Sequence, residues 1–189
     1  MTRDFTHGSN AYNLQFMDLD PSGSISPRYR EVLNTYIASA DGVVLLYDIA
    51  SRYTFERVTQ EVYIHAWMCR DTVYRKDGPN GKMWRSKKRF GIVLVGNKKD
   101  LIDESGGEGK REIGKEEAAE WAECLGYKGL EINSNERGDV EEVVKALIAS
   151  VEKAKRQEAR DDRDSREEWK SRGQGSVGAA LWRALGISR

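Results

Sequence analysis

The chain has 189 residues, enough for one domain with a sizeable core and too few for two of ordinary size. Its 31 basic and 31 acidic residues cancel, so no global field draws it to nucleic acid or to an anionic membrane surface. Cys69 and Cys124 have neither metal-ligand spacing nor a disulfide framework, and no run approaches the roughly 20 apolar residues of a membrane span, which fits a cytoplasmic protein with at most a peripheral membrane contact.

Residues 1–11 read as a polar lead without the apolar stretch of a secretory signal. Tyr12 to Leu19 alternates apolar and polar residues and ends in Asp20-Pro21-Ser22-Gly23, which predicts a strand running into a turn. Tyr29, Val32, Leu33, Tyr36 and Ile37 recur at helical spacing behind Pro27, predicting a helix over 27–40. After Asp41-Gly42, the apolar, β-branched run Val43 to Tyr47 predicts a strand that delivers Asp48. Phe55, Val58, Val62, Ala66 and Cys69 then line one helical face, and His65 beside them has no metal-ligand partner and reads as a packed or surface residue.

Asp71 to Arg89 is rich in turn residues and in positive charge. It reads as a solvated loop, with a partner or phosphoinositide patch as the alternative. Gly91 to Gly96 is an almost wholly apolar run ending abruptly in Asn97-Lys98-Lys99-Asp100, and a buried strand that delivers polar side chains at its carboxyl end is where open α/β sheets hold ligands. The segment Gly109 to Glu116 copies the glycine and lysine spacing of a phosphate-binding P-loop. It ends in Glu116 where serine or threonine is required and has no strand directly before it, so it is rejected. A helix marked by Ala118, Trp121, Ala122 and Leu125 stops at Gly126, a short strand covers Lys128 to Ile132, and Asp139 with Glu142 forms a capping-box-like start. The helix behind it carries Val140, Val143, Val144, Leu147, Ile148 and Val151 on one face. From Glu152 to Arg172 dense alternating charge leaves a solvated helical extension or disorder as alternatives, and the final AALWRALGISR follows a glycine-containing break.

Four stretches together carry a resemblance: Asn97-Lys98-x-Asp100 followed by Leu101, SADGVVLLYDIASRYTFERV at 39–58, Asp20-x-x-Gly23, and Glu131-Ile132-Asn133-Ser134-Asn135. Over 12–151 the chain resembles the Ras-like small GTPases. The resemblance implies an α/β, doubly wound, mostly parallel sheet, with a basic insertion at 71–89 and a charged tail at 152–189. It implies GTP or GDP as ligand and regulator or effector proteins as partners. It assigns guanine recognition to Asn97, Lys98, Asp100, Ser134 and Asn135, and the phosphate and switch contacts to Asp20 and Gly23, with Asp20 holding magnesium through water. The chemistry suits Asp100, because a carboxylate accepts two hydrogen bonds from the ring N–H and exocyclic amine of guanine, a donor pair that adenine does not present. In the family the lysine stem lies over the base and the asparagine ties neighbouring loops, roles that fall to Lys98 and Asn97; a backbone N–H at Ser134 meets the guanine oxygen.

The pattern also departs from the family. Ser24 stands where the water-orienting glutamine is usual, Asn135 replaces a lysine, and no cysteine near Arg189 offers a prenylation signal. No GxxxxGK followed by serine or threonine occurs, so the chain is expected to be amino-terminally incomplete relative to that family, without its first two strands, P-loop and first switch. The strands on either side of that missing first strand would then face a gap of about 10 Å. No catalytic residue is assigned, and a pseudo-GTPase acting as an interaction module stands as the alternative to a GTP-hydrolysing switch.

Overall fold

The computed structural model describes residues 2–19, 27–70, 73–75, 84–86, 89–103 and 111–174. At its centre is the apolar run recognised in the sequence, which forms strand β6, Gly91–Asn97, buried at every position from Gly91 to Gly96. It pairs in parallel with β3, Gly42–Asp48, and on its other side with β7, Lys128–Glu131. A strand flanked on both edges and covered on both faces must be apolar throughout, which accounts for the absence of alternation in Gly91 to Gly96.

The connections supply the two covering layers. From β3 the chain enters α2, Arg52–Glu56, a π-helical stretch Arg57–Val62 and α3, Tyr63–Arg70. The buried Thr59 hydroxyl donates to the Phe55 carbonyl at 2.7 Å within that stretch, a side chain competing for the backbone ladder where the helix widens. This helix, with α5, Lys115–Cys124, packs Phe55, Ala66, Ala118 and Ala122 against Leu45, Tyr47, Ile92 and Leu94. On the opposite face α6, Arg137–Gln174, sets Val143 and Ala146 against Val93 and Val95. An α/β sheet sandwiched by helices is the class expected. The charged stretch beyond Glu152 is a continuation of α6, which decides between the two alternatives left open there.

Helix α1, Pro27–Ser39, packs on α3, where Asn34 Oδ1 lies 2.9 Å from His65 Nε2 and 3.5 Å from Cys69 Sγ. His65 is thus a helix-packing residue.

Three expectations are corrected. The polar lead contains a strand, β1 at Thr2–His7, which pairs antiparallel with β2 at Asn10–Gln15, so β2 ends four residues before Leu19. Gly8 at φ +62 followed by Ser9 makes the two-residue turn, a type II′ order that suits hairpin twist. The strand was illegible because only Phe5 and His7 of β1 are even half-buried, leaving little hydrophobic alternation. Within the basic segment, Val73–Arg75 (β4) and Trp84–Ser86 (β5) form a second antiparallel pair where a loop was expected. Finally, α6 begins at Arg137, ahead of the proposed cap, and Asp139 instead accepts the Asn133 backbone N–H at 2.8 Å. Four residues, Asp100–Asp103, form the short helix α4.

Between the hairpin and the sheet the structure leaves a slot of about 1580 Å³, walled by residues 10–19 on one side and by Gly42 to Leu46 of β3 on the other. The Tyr12 hydroxyl, hydrogen-bonded to the Glu152 carboxylate, ties the hairpin to α6 across it.

Candidate functional site

All three parallel strands point their carboxyl ends the same way, and the register sets Asp48 of β3 beside Asn97 of β6, with Glu131 of β7 next to Gly96. Polar residues therefore converge at one rim of the sheet, where strand ends leave backbone and side chains uncovered by helices. The ladder is prolonged past the strands: the Ile132 N–H donates to the Gly96 carbonyl at 2.8 Å and the Lys99 N–H to the Ile132 carbonyl at 3.1 Å. The loop after β6 and the loop after β7 are thereby one unit.

Asn97 strengthens that unit, since its Oδ1 accepts the Ser134 backbone N–H at 3.1 Å. Lys98, with φ +71, is the sole non-glycine residue at positive φ among the described residues, a conformation costly for a long side chain and found most often at functional sites. Its ammonium reaches back 2.6 Å to Asp48 Oδ2 while Asp48 Oδ1 accepts the Ala50 N–H at 2.9 Å. Partial burial pushes the Asp48 carboxyl up, but the Lys98 hydrogen bond, the Ala50 amide and the Lys98 charge outweigh it and hold the group below the usual carboxylate range.

Asp100 opens α4 half-buried, and its carboxylate makes no hydrogen bond among the described residues. By contrast, the Asp48 carboxylate on the same rim is held by Lys98 and by the Ala50 N–H. Nearby, the Arg111 guanidinium clamps Glu131 with two bonds of 2.5 and 3.0 Å, and Arg52 pairs with Glu117. These ion pairs pin the segment rejected as a phosphate loop: its Ile113 is fully buried and donates its N–H to the Ile49 carbonyl at 3.3 Å.

Of the residues singled out in the sequence, the structure brings Asn97, Lys98, Asp100, Ser134 and Asn135 to this rim. Asp20, Gly23 and Ser24 lie outside the described residues. The Ser134 N–H, to which the resemblance assigns a base oxygen, is donated to Asn97 Oδ1, and the Asn135 N–H goes to Asn133 Oδ1 at 3.0 Å. Asp48, which the sequence analysis assigned no ligand role, is also part of the rim. The available signal was its place at the carboxyl end of a buried strand. Among the described residues no group of three or more His, Cys, Asp or Glu side chains could hold a metal ion, and Asp20, to which the resemblance assigns magnesium, lies outside them. No helix among them is long and apolar enough to cross a membrane.

A model of the Ras family matches residues 2–153, starting inside the segment read as a lead. The Ras-like protein rasZ of Dictyostelium discoideum is 29% identical over 134 residues, which cover 68% of this chain and 52% of that protein. The Ras-related protein RABA4a of Arabidopsis thaliana is 30% identical over 127 residues, 66% of this chain and 45% of its own length. The human Ras-related protein Rab-3D is 29% identical over 121 residues, covering 64% and 45%. The chain thus spans about half the length of the curated relatives it matches.

Proposed function

Because the chain belongs to the Ras family, we propose that its sheet rim is the base-recognition part of a guanine-nucleotide site, of the kind a GTP-dependent signalling switch requires. The observation that carries this reading is the half-buried Asp100 carboxylate, without a hydrogen-bond partner among the described residues, on a loop held in place by Asn97. Asp100 accepts the two N–H donors of the guanine edge. A base lacking them leaves the carboxylate unpaired, which is a strong discriminator. Lys98 lays its stem along the base, its ammonium held by Asp48, and Asn97 keeps the two loops together beneath it.

The test is competition between guanosine and xanthosine diphosphates for the wild type and for Asp100→Asn. The substitution turns an acceptor pair into a mixed donor and acceptor, so guanine preference falls and xanthine gains, by about tenfold or more for one hydrogen bond left unmade. Unchanged guanine preference in the variant refutes the assignment.

A second reading has its own support. The amides of Asn133, Ser134 and Asn135 are all satisfied internally, by Asp139, Asn97 and Asn133 respectively, as in a loop that needs no ligand. On that reading the chain is a pseudo-GTPase that works through partner proteins. Ser24, in place of the water-orienting glutamine, also argues against rapid hydrolysis. A single-turnover assay separates the two readings: GTP cleavage at a rate above buffer supports the switch, and nucleotide-independent partner binding supports the module.

A further inference from the structure

Where α1 packs on α3, three donor atoms from the two helices converge. His65 and Cys69 stand four positions apart on α3, so both side chains leave the same face of that helix. Asn34 of α1 meets them there: its Oδ1 lies 2.9 Å from His65 Nε2 and 3.5 Å from Cys69 Sγ, and Sγ lies 3.5 Å from Nε2. All three residues are half-buried. Spacing in the chain does not reveal the trio, because Asn34 stands 31 positions before His65 and arrives only through helix packing.

The distances suit a shared cation. Two bonds of about 2.05 and 2.3 Å, the lengths zinc takes to imidazole nitrogen and to thiolate sulfur, span about 3.5 Å at a tetrahedral angle. That is the separation of Nε2 from Sγ. A single point about 2.1 Å from all three donors exists just off their plane. Nucleophilic chemistry fits the trio less well. In a Cys-His-Asn relay the imidazole stands between thiol and amide and offers one nitrogen to each, whereas here Sγ and Oδ1 both face Nε2. Thiolate with imidazole favours a borderline-soft cation over magnesium or calcium. Among the described residues no third His, Cys, Asp or Glu joins the pair, so the amide oxygen is the third donor and water takes the fourth position.

We propose that Asn34, His65 and Cys69 form a binding site for one borderline-soft divalent cation of the zinc class, and that the bound cation clamps α1 onto α3. Binding sends the thiol proton to solvent and leaves the imidazole proton on Nδ1, so Sγ and Nε2 both present lone pairs and one proton is released for each cation bound. The cation then replaces the hydrogen bonds that join the trio when the site is empty. This inference is independent of any nucleotide at the sheet rim.

The probe is cobalt(II), a spectroscopic substitute for zinc, titrated into the full chain without nucleotide. The expected result is one equivalent bound, with a thiolate-to-cobalt charge-transfer band and the visible bands of a tetrahedral ion, all bleached by zinc. Cys124 is the other cysteine of the chain and is exposed, so Cys124→Ser serves as the control and keeps the spectrum. Cys69→Ser should abolish the charge-transfer band. His65→Ala should weaken binding by about tenfold or more, since removal of a ligand costs at least what removal of a ligand's hydrogen-bond partner does. Asn34→Asp keeps the size and the acceptor of the side chain but makes the third donor an anion, so it should tighten binding by about tenfold. That gain is one that a packing role for Asn34 does not produce, and it does not depend on a damaged variant. Zinc should also raise the melting temperature of the wild type and leave that of Cys69→Ser unchanged. The proposal is overturned if the wild type shows no charge-transfer band, if the band survives Cys69→Ser, or if it is lost in Cys124→Ser. Asn34→Asp that binds cobalt no more tightly than the wild type overturns it as well.

Discussion

Strands β3 and β6 are a matched pair with opposite fates. GVVLLYD and GIVLVGN are equally long, equally apolar, parallel and in register from Gly42 opposite Gly91 to Asp48 opposite Asn97. Yet β6 is buried at six consecutive positions, whereas β3 is buried only at Leu45 and Tyr47 and leaves Leu46 52% exposed. The difference is the neighbourhood. Strand β6 has a strand on each edge and helices on each face, while β3 has a strand on one edge and the slot on the other. Burial along a strand reports its position in the sheet, and a run of apolar residues records the position for which that strand is suited.

The comparison can be broken by truncating equivalent leucines. Leu94→Ala on β6 should cost about 3 kcal/mol, because a 1% exposed side chain leaves a cavity in a packed layer. Leu46→Ala on β3 should stay within about 0.5 kcal/mol. Urea midpoints at constant m-value measure both, and equal losses would show that the slot is filled in solution.

Tyr47 sharpens it next. Its hydroxyl is buried without a hydrogen-bond partner among the described residues. Burial first, with the Glu131 charge second, pushes its pKa up from 10.0 to about 12. The folded state thus keeps the proton that the unfolded chain releases, so the stability is intact below pH 10 and is lost as pH rises from 10 toward 12. The loss is on the order of 2 to 3 kcal/mol. Tyr47→Phe should abolish that loss and be close to neutral at pH 7, since no hydrogen bond is given up. Urea denaturation of both proteins at pH 7 and above pH 10 checks it.

The paired glycines give the smaller contrast. A Cβ on Gly91 would stand 2.5 Å from the Val151 backbone nitrogen, so Gly91→Ala must move α6, at about 2 kcal/mol. A Cβ on Gly42 meets the ends of the Val151 and Leu147 side chains at 2.8 and 2.9 Å, which can turn aside toward the slot, so Gly42→Ala should cost less than about 1 kcal/mol. Thermal melts of the two variants should rank in that order.

What the chain's order of residues determined by itself was whatever depends on local period and local chemistry. The central strand over Gly91 to Asn97, the helix behind Pro27, the amphipathic face from Val140 to Val151 and the polar cluster Asn97 to Asp100 were legible because each repeats within a few residues or stands out against an apolar run. Three-dimensional neighbours decided the rest. The strand Thr2–His7 is stabilised by its partner across a turn, with too little burial to imprint alternation. The union of Asp48 with Lys98 spans 50 positions, and that of Asn97 with Ser134 spans 37. Neither is coded by any spacing, because strand order and register bring the residues together. The slot is the clearest instance. GVVLLYD already reads as a strand meant for burial and the resemblance implies a gap beside it, but only the tertiary structure shows which residues wall that gap, since an unfilled position is a property of what surrounds a segment and not of the segment itself.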